Sequence, residues 1–428
     1  MRYIYMDGYR GFSKTLIKML DTNFLVGENS SGKTSFLSLV YLIHHPHFWF
    51  NPDFSSHKEV DFSTYKDIAS ANGSGLSSFR VGLVDISPSK KRFTLFFQTF
   101  TFKEKTGNPV VARCSRCQDG KLTIINYGNR KIQHKSIEVS HSFDSMADAE
   151  EEFKILIESK CTEDSDLEDF PKGVPYDLPP AIAFSFLKNM NNKENVVRHS
   201  AEIPFAREIS WIAPIRTRPK RFYDGMTREY SSEGEHTPML LRRLLRTRLG
   251  KSKFPEKLEH FGMLSGLFKT ITAHAFGRGN QTPFELLIKL SESAYNIKNV
   301  GYGMSQALPL VVEFLSAEKG RAFTVQQPEV HLHPRAQAAL GGLVYELAKD
   351  IKHNFYIETH SDYLIDRYRL SMRNNDISPS SQVIYFERTI DGNKAYPMQL
   401  SNAGIYPENQ PVGFREFFIN EEMSLLGV

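Results

Sequence analysis

Residues 27–34 read Gly27-Glu28-Asn29-Ser30-Ser31-Gly32-Lys33-Thr34 and satisfy G-x-x-x-x-G-K-[ST] at every fixed position. In such a loop Gly27, Asn29, Ser30, Ser31 and Gly32 curl backbone N–H groups around a β-phosphate, and the following helix N-terminus adds partial positive charge. Lys33 then bridges β- and γ-phosphates, Thr34 places its hydroxyl on Mg²⁺, and Ser35 completes the contacts in the first helical turn. This chemistry demands a strand before the loop and a helix after it. An apolar run at 22–26 and an apolar helical pattern at 34–43 supply both, which argues against a plain Gly-rich turn.

Three later segments carry matching chemistry. Gly301-Tyr302-Gly303-Met304-Ser305-Gln306 opens an apolar helix, so Gly303, Ser305 and Gln306 can offer bare N–H groups, a hydroxyl and an amide to an anion. A Gly-rich helix cap is the other reading. An apolar strand from Ala322 runs into Gln326-Gln327-Pro328-Glu329-Val330-His331-Leu332-His333-Pro334. A further strand, from Asn354, ends in Thr359-His360-Ser361. A histidine there can donate to a γ-phosphate and orient the attacking water, or be an ordinary loop histidine. His353 precedes the strand and is not expected to share that role.

The order of phosphate loop, Ser-Gln helix, P-E-x-H-L-H-P strand and histidine loop resembles an ABC/SMC-like ATPase head. The G-x-G-x-S-Q form is similar to the signature motif of the overcoming-lysogenization-defect (OLD) and RecF-like families. The likeness covers about residues 1–105 and 297–428. It extends to Ala213-Pro214-Ile215-Arg216 with Pro219 and Arg221, to Arg10-Gly11-Phe12, and to the tail at 411–417. The resemblance implies ATP and Mg²⁺ as cofactors, with Ser305 meeting the γ-phosphate held by another protomer. A homodimer or higher homo-oligomer through the ATP sites follows. It also implies that Arg10 lies near base and ribose, and that Gln98 is either a Mg²⁺-sensing Q-loop glutamine or a common strand residue.

The chain departs from that pattern where the family usually has carboxylates. Gln326 stands at the position for the hydrated Mg²⁺, beside Thr34 and Gln98 in the metal set, and Gln327 stands where water is activated. An amide binds the metal shell weakly and accepts no proton, and losing a general base slows a reaction roughly 10²–10⁴-fold. Glu329 is the nearest remaining acid, so the catalytic set is Gln327, Glu329 and His360. A slow ATPase is expected; a single engineered exchange would account for one amide and not two.

These motifs need an α/β ABC-type ATPase head, a mixed β-sheet P-loop core split by a helical/β insertion. The expected division is 1–105 and 297–428 for the two core halves, with 106–296 between them. Strands are expected at 2–6, 79–86 and 92–102, and a hairpin over 121–139 turns near Asn126-Tyr127-Gly128. The acidic stretch 145–167, and residues 237–249 and 255–275, are expected to be helical. Pro171, Pro175, Pro179 and Pro180 interrupt any long heptad, so no coiled-coil arm is expected.

Net charge is only +4 in 428 residues, too little to argue nucleic-acid binding from the total. Local clustering is stronger: Arg216, Arg218, Lys220 and Arg221, then Arg242, Arg243, Arg246, Arg248, Lys251 and Lys253. Arg242 and Arg246 lie one helical turn apart and would share a face for DNA phosphates. A solvated basic face, or pairing with the acidic stretch, is the alternative. Cys114-x-x-Cys117 has no second pair or histidines to complete a zinc site and reads as reduced thiols. No run is apolar enough for a bilayer and no signal peptide is evident, so a cytoplasmic location without membrane contact is expected. No Asp-x-Asp pair follows His360, so the Toprim nuclease of OLD proteins is not expected. Similar armless ATPases of the Septu and PARIS kinds suggest a separate effector, a nuclease or toxin, in anti-phage defence.

Overall fold

The structure, a computed structural model, describes residues 1–45, 48–49, 52–54, 58–60, 62, 64–70, 77–87, 92–102, 107–128, 130–139, 146–162, 165–191, 208–226, 228–246, 253–279, 281–414 and 423. The chain opens with β1 (Arg2–Asp7), β2 (Thr15–Met19), β3 (Thr22–Gly27) and α1 (Lys33–His44). Then come β4 (Ser78–Ser87), β5 (Arg92–Phe102), β6 (Pro109–Gln118), β7 (Lys121–Gly128), β8 (Lys131–Glu138), α2 (Met146–Glu158), β9 (Glu168–Asp169) and α3 (Pro180–Asn191). The middle holds β10 (Ile209–Ile212), α4 (Thr237–Leu245), α5 (Phe254–Ser265), β11 (Thr270–Ala275), β12 (Phe284–Lys289) and β13 (Ala294–Asn296). The last stretch has α6 (Tyr302–Ser316), β14 (Ala322–Gln326), α7 (Pro334–Glu346), β15 (Asn354–Glu358), α8 (Asp362–Arg373), β16 (Ser381–Thr389) and β17 (Gly392–Gln399).

Two compact units interleave in sequence. One comprises Met1–Leu20, Glu28–Arg207 and Phe386–Pro397; the other comprises Asp21–Gly27, Glu208–Tyr385 and Met398–Val428.

The first unit carries an eight-stranded sheet in the order β2-β1-β4-β5-β6-β7-β8-β9. Side chains alternate between its faces with period two. Tyr3, Tyr5, Val84, Ile86, Phe93, Leu95, Phe97, Leu122 and Ile124 form one buried face, covered by Phe153, Leu156 and Ile157 of α2. Phe79 and Phe100 stack on the other face at 4.8 Å, with Phe54 against both at 5.6 and 5.3 Å. The sheet continues unbroken across residue 105, where composition changes, because β6 pairs directly with β5. Cys114 and Cys117 are both buried and unbridged. Three residues apart on one strand, they face opposite sides of the sheet and cannot share a metal. Among the described residues no group of three or more His, Cys, Asp or Glu is arranged to hold an ion. No described helix is long and apolar enough to cross a membrane.

The second unit is built on parallel pairing. β10, β14, β15 and β3 lie side by side in that order, with β16 beyond β3, and the pairs β10–β14, β14–β15 and β15–β3 are parallel. A smaller antiparallel sheet orders β11-β12-β13, with Phe284, Leu286 and Ile288 as its buried face. Helix α7 crosses α8 so closely that a Cβ on Gly341 would collide with the backbone of Leu364.

The expected helix at 255–275 is a helix followed by a strand. Gly266 (φ 73°) ends α5 in the left-handed region, and the β-branched run Thr270-Ile271-Thr272 enters β11. β2 was not anticipated. The helix expected at 237–249 is seen as α4 over Thr237–Leu245, with 247–249 outside the described residues. The hairpin forms, with β7 running on to Gly128 and Asn129 outside the described residues.

His353 is fully buried, its ring edge-on to Phe323 (5.3 Å) and Phe355 (6.2 Å). Burial pushes its pKa from 6.5 down to about 4, against a backbone hydrogen bond at Phe314. The unfolded chain therefore takes a proton near 6.5 that the fold refuses until about 4, so stability falls as pH drops through this window. At pH 4.5 the loss should reach about 2–3 kcal/mol. His353→Phe should remove that component, read as a smaller fall in Tm between pH 7 and 4.5 than in the parent.

Candidate nucleotide site

The phosphate loop departs from the end of β3. Gly27 (φ 132°), Ser30 (φ 61°) and Gly32 (φ 100°) take positive φ, which lets the loop reverse on itself. At Gly32 a Cβ would meet Phe12 at 2.6 Å and Asn393 at 2.8 Å, so only glycine fits. Helix α1 begins at Lys33 with no acidic residue in its first turn and no side-chain cap, leaving its N-terminal partial charge for an anion. Lys33 Nζ donates to the Glu28 carbonyl at 2.6 Å, and Ser31 Oγ donates to the same oxygen at 2.8 Å. Asn29, Ser30 and Thr34 are exposed at the loop and the helix start.

Arg10 is held beside this helix. Its Nε donates to Ser35 Oγ at 2.8 Å, a second nitrogen donates to the Asp67 carbonyl, and the guanidinium lies 4.7 Å from the Phe62 ring centre. Tyr9 OH donates to the Ser35 carbonyl at 3.0 Å. Arg10 and Ser35 are thus brought together.

Gln98 sits in mid-strand on β5, fully buried, opposite Cys114 on β6. These surroundings fit the strand reading of this glutamine rather than a metal-sensing loop.

In the second unit, parallel pairing brings three strand ends to one edge. Gln326 is in register with Glu358, and Glu358 with Leu25 near the end of β3. Gln327 N donates to the Glu358 carbonyl at 2.8 Å, and Thr359 N to the Leu25 carbonyl at 3.1 Å. Gln327 (φ 41°) and His331 (φ 64°) adopt left-handed backbone around the turn after β14. Such geometry is uncommon for non-glycine residues.

Glu329 is not a free base here. Its Oε2 accepts from Thr359 Oγ1 and its Oε1 from the His360 backbone N–H, both at 2.7 Å. Ser361 caps α8 by accepting from Leu364 N at 3.1 Å and donates to Gln337 at 2.6 Å. His360 stands exposed between two anchored neighbours. Gln337 and Glu358 were not singled out from the sequence, although Glu358 lies two residues before His360. Glu358, a buried carboxylate in register with Gln326, is the addition with most chemical weight.

The signature helix α6 starts at Tyr302 with Gly301 as its N-cap. A Cβ on Gly303 would stand 2.7 Å from the His331 carbonyl, so glycine permits this close approach to the turn after β14. Ser305 Oγ donates to the Tyr302 carbonyl at 2.7 Å, and Ser305 lines a cavity of about 260 Å³ with Thr217, Arg218, Thr237 and Leu308. Gln306 is assigned differently from expectation. It is 1% exposed, accepts from Arg216 N at 3.3 Å and donates to the Arg216 carbonyl at 3.4 Å. Its amide holds backbone and does not face an anion.

The basic cluster also divides. Arg242 is 2% exposed, donates to Thr282 O (2.6 Å), Gly279 O (3.2 Å) and Thr282 Oγ1 (2.9 Å), and stacks on Phe284 at 4.7 Å. It is a core residue, so the expected Arg242/Arg246 phosphate-binding face does not form. Arg243 and Arg246 are exposed, lining a cavity that also holds Glu208, Glu313 and Glu318. Its charge is mixed rather than a single-sign track. Arg248 and Lys251 lie outside the described residues. On the acidic stretch, Glu150 accepts from Tyr3 OH and Glu158 pairs with Lys14 at 3.7 Å. Arg242→Ala should strand two carbonyls and lower stability by about 2–4 kcal/mol. The measurement is Tm, with DNA affinity at low salt, if any, unchanged.

A loop-and-helix phosphate cradle, parallel strands ending at one edge, and a longest described helix of 15 residues define the class: an α/β P-loop ATPase, without a coiled-coil arm among the described residues. The chain belongs to the AAA ATPase domain family (AAA_15), whose profile matches residues 123–365, more than half its length. The match takes in the signature helix, the β14 turn and the histidine loop, and begins after the phosphate loop. Similar solved structures include the SMC head domain from Thermotoga maritima, 11% identical over 93% of this chain and 98% of that one, TM-score 0.38. The recombination mediator RecF is 12% identical over 93% and 97%, TM-score 0.30. An SMC ATPase described through ATP-driven dimerisation is 15% identical over 40% and 91%, TM-score 0.26. Scores at this level carry no argument about what this chain does. No curated protein matches it.

Proposed function

We propose that this protein binds and slowly hydrolyses ATP, in composite sites that form when two copies meet head to tail. The observation that carries the reading is the shared edge where β3, β15 and β14 end, which is where α/β sheets bind ligands. There the phosphate loop, the histidine loop and the Gln326-Gln327 turn all begin. Lys33 and the loop N–H groups hold the phosphates, Arg10 serves base and ribose, and exposed His360 orients water. Gly303 and Ser305 cap the triphosphate held by the second copy.

Mg²⁺ takes one or two protein ligands and completes its shell with phosphate oxygens and water. Thr34, at the start of α1, would supply one hydroxyl ligand, and the ion would neutralise charge on the phosphates. Gln327 accepts no proton and both Glu329 oxygens are engaged, which supports slow turnover.

ATP would act as the glue of the closed dimer by mass action, and hydrolysis would release it. The likeness to armless OLD-type ATPases supports a switch governing a separate nuclease or toxin in anti-phage defence. Native mass measurement with and without ATP tests this: ATP should double the mass, and a mass unchanged at saturating ATP overturns the composite site. Steeply salt-dependent DNA affinity lost on Arg243→Ala plus Arg246→Ala would instead favour a RecF-like repair ATPase.

A further inference from the structure

The cavity of about 260 Å³ beside Ser305 also has Arg218 and Lys220 in its wall, and all three residues belong to the second unit. Both cations are exposed, and neither side chain has a hydrogen-bond or ion-pair partner among the described residues. The carboxylates of the same cavity, Asp224 and Glu235, are both engaged by Arg228, at 3.1 and 3.5 Å. Two uncommitted cations therefore stand in one cavity with the hydroxyl expected to meet a γ-phosphate.

Solvated arginines and lysines are common on any surface. What sets these two apart is how their backbone is held. Gln306, next to Ser305 in the first turns of α6, accepts from the Arg216 N–H at 3.3 Å and donates to the Arg216 carbonyl at 3.4 Å. Thr217 donates to the Glu233 carbonyl through both N (2.9 Å) and Oγ1 (3.2 Å). Pro219 fixes its own φ and keeps Arg218 out of the helical region. Lys220 N donates to Tyr223 OH at 3.2 Å. The segment is thus fastened to the helix that carries Ser305, which lowers the ordering cost of presenting its cations to an anion.

We propose that Arg218 and Lys220 reach across the closed dimer and supply positive charge to the triphosphate held by the second copy's phosphate loop. This role rests on the reading of Ser305 as a cap in trans. During hydrolysis water adds to the γ-phosphorus as the bond to the β–γ bridging oxygen breaks, giving ADP, inorganic phosphate and a proton. The two cations form no covalent bond; they offset negative charge on the γ-oxygens as it redistributes. Because they arrive only on pairing, full turnover is confined to the dimer.

The test uses the full chain carrying Arg218→Ala plus Lys220→Ala. At concentrations where the chain is single, its affinity for a fluorescent ATP analogue should stay within about twofold of the parent's, since the phosphate loop is untouched. Pairing with ATP, read by native mass across a protein series, should need at least ~10-fold more protein, and release of labelled phosphate should fall roughly 10²–10³-fold. Arg218→Lys plus Lys220→Arg, which keeps both charges, should recover most of the release. Mixing the double variant with Lys33→Ala separates trans from cis. A mixed dimer has one site with an intact loop from one copy and intact cations from the other, so release should rise at least ~10-fold above either variant alone. No rise on mixing, a matching loss of ATP affinity in the single chain, or pairing and release equal to the parent's would each overturn the role. A parent whose mass ATP leaves unchanged removes the composite site itself, so the two failures are told apart.

Discussion

Lys33→Ala is expected to weaken ATP binding at least ~100-fold, a loss of about 2.7 kcal/mol. The ammonium lies over its own loop, 2.6 Å from the Glu28 carbonyl. Charged phosphate oxygens are stronger acceptors than that neutral carbonyl, and charge-assisted contacts supply the affinity. The side chain is 3% exposed, so it works in surroundings where Coulomb attraction is less screened than at an open surface. Loop N–H groups and the start of α1 remain in the variant, which is why a residue of weak binding is expected. Titration with a fluorescent ATP analogue reads the affinity, and Tm of the nucleotide-free protein checks the fold. Normal ATP affinity in a folded variant would sink the phosphate-loop assignment and the function built on it.

The parts of this site that could be read from sequence are those fixed by local backbone needs. Gly27 and Gly32 must take positive φ, the apolar runs on either side have clear strand and helix periods, and β3–loop–α1 forms where expected. Long-range facts were not legible. Nothing in the order of residues says that β3, inside the N-terminal stretch, inserts beside β15 in a sheet made largely by the last third of the chain. Charge carries no mark of burial. Arg216 and Arg242 look like Arg218 and Arg243 in sequence, yet the first two are enclosed and the second two exposed. Gln306 shows the same limit: a motif gives a residue type and a position, while the two hydrogen bonds that define its job come from a segment ninety residues away. The missed strand β11 did have a signal, since Gly266 ends the helix pattern before Thr270-Ile271-Thr272.

Replacing the two amides should separate their roles. Gln327→Glu is expected to raise phosphate release by roughly 10²–10⁴-fold, because it restores a proton acceptor where the family pattern places one. The left-handed backbone at 327 (φ 41°) is equally uncommon for Gln and Glu, so the exchange adds no new backbone strain. Gln326→Glu acts otherwise. It sets a second carboxylate in register with Glu358 on the neighbouring strand, and like charges so placed repel and raise one another's pKa. Its turnover should therefore depend more steeply on Mg²⁺, and its Tm should fall without the ion and recover with it. The double variant should combine fast release with that steeper dependence. Phosphate release across a Mg²⁺ series, with Tm alongside, distinguishes these patterns. Measurable release by the unaltered chain excludes a purely structural use of ATP. Unchanged release in Gln327→Glu would show that the amide does not limit the reaction, and would move attention to the His360 loop and its anchor at Glu329.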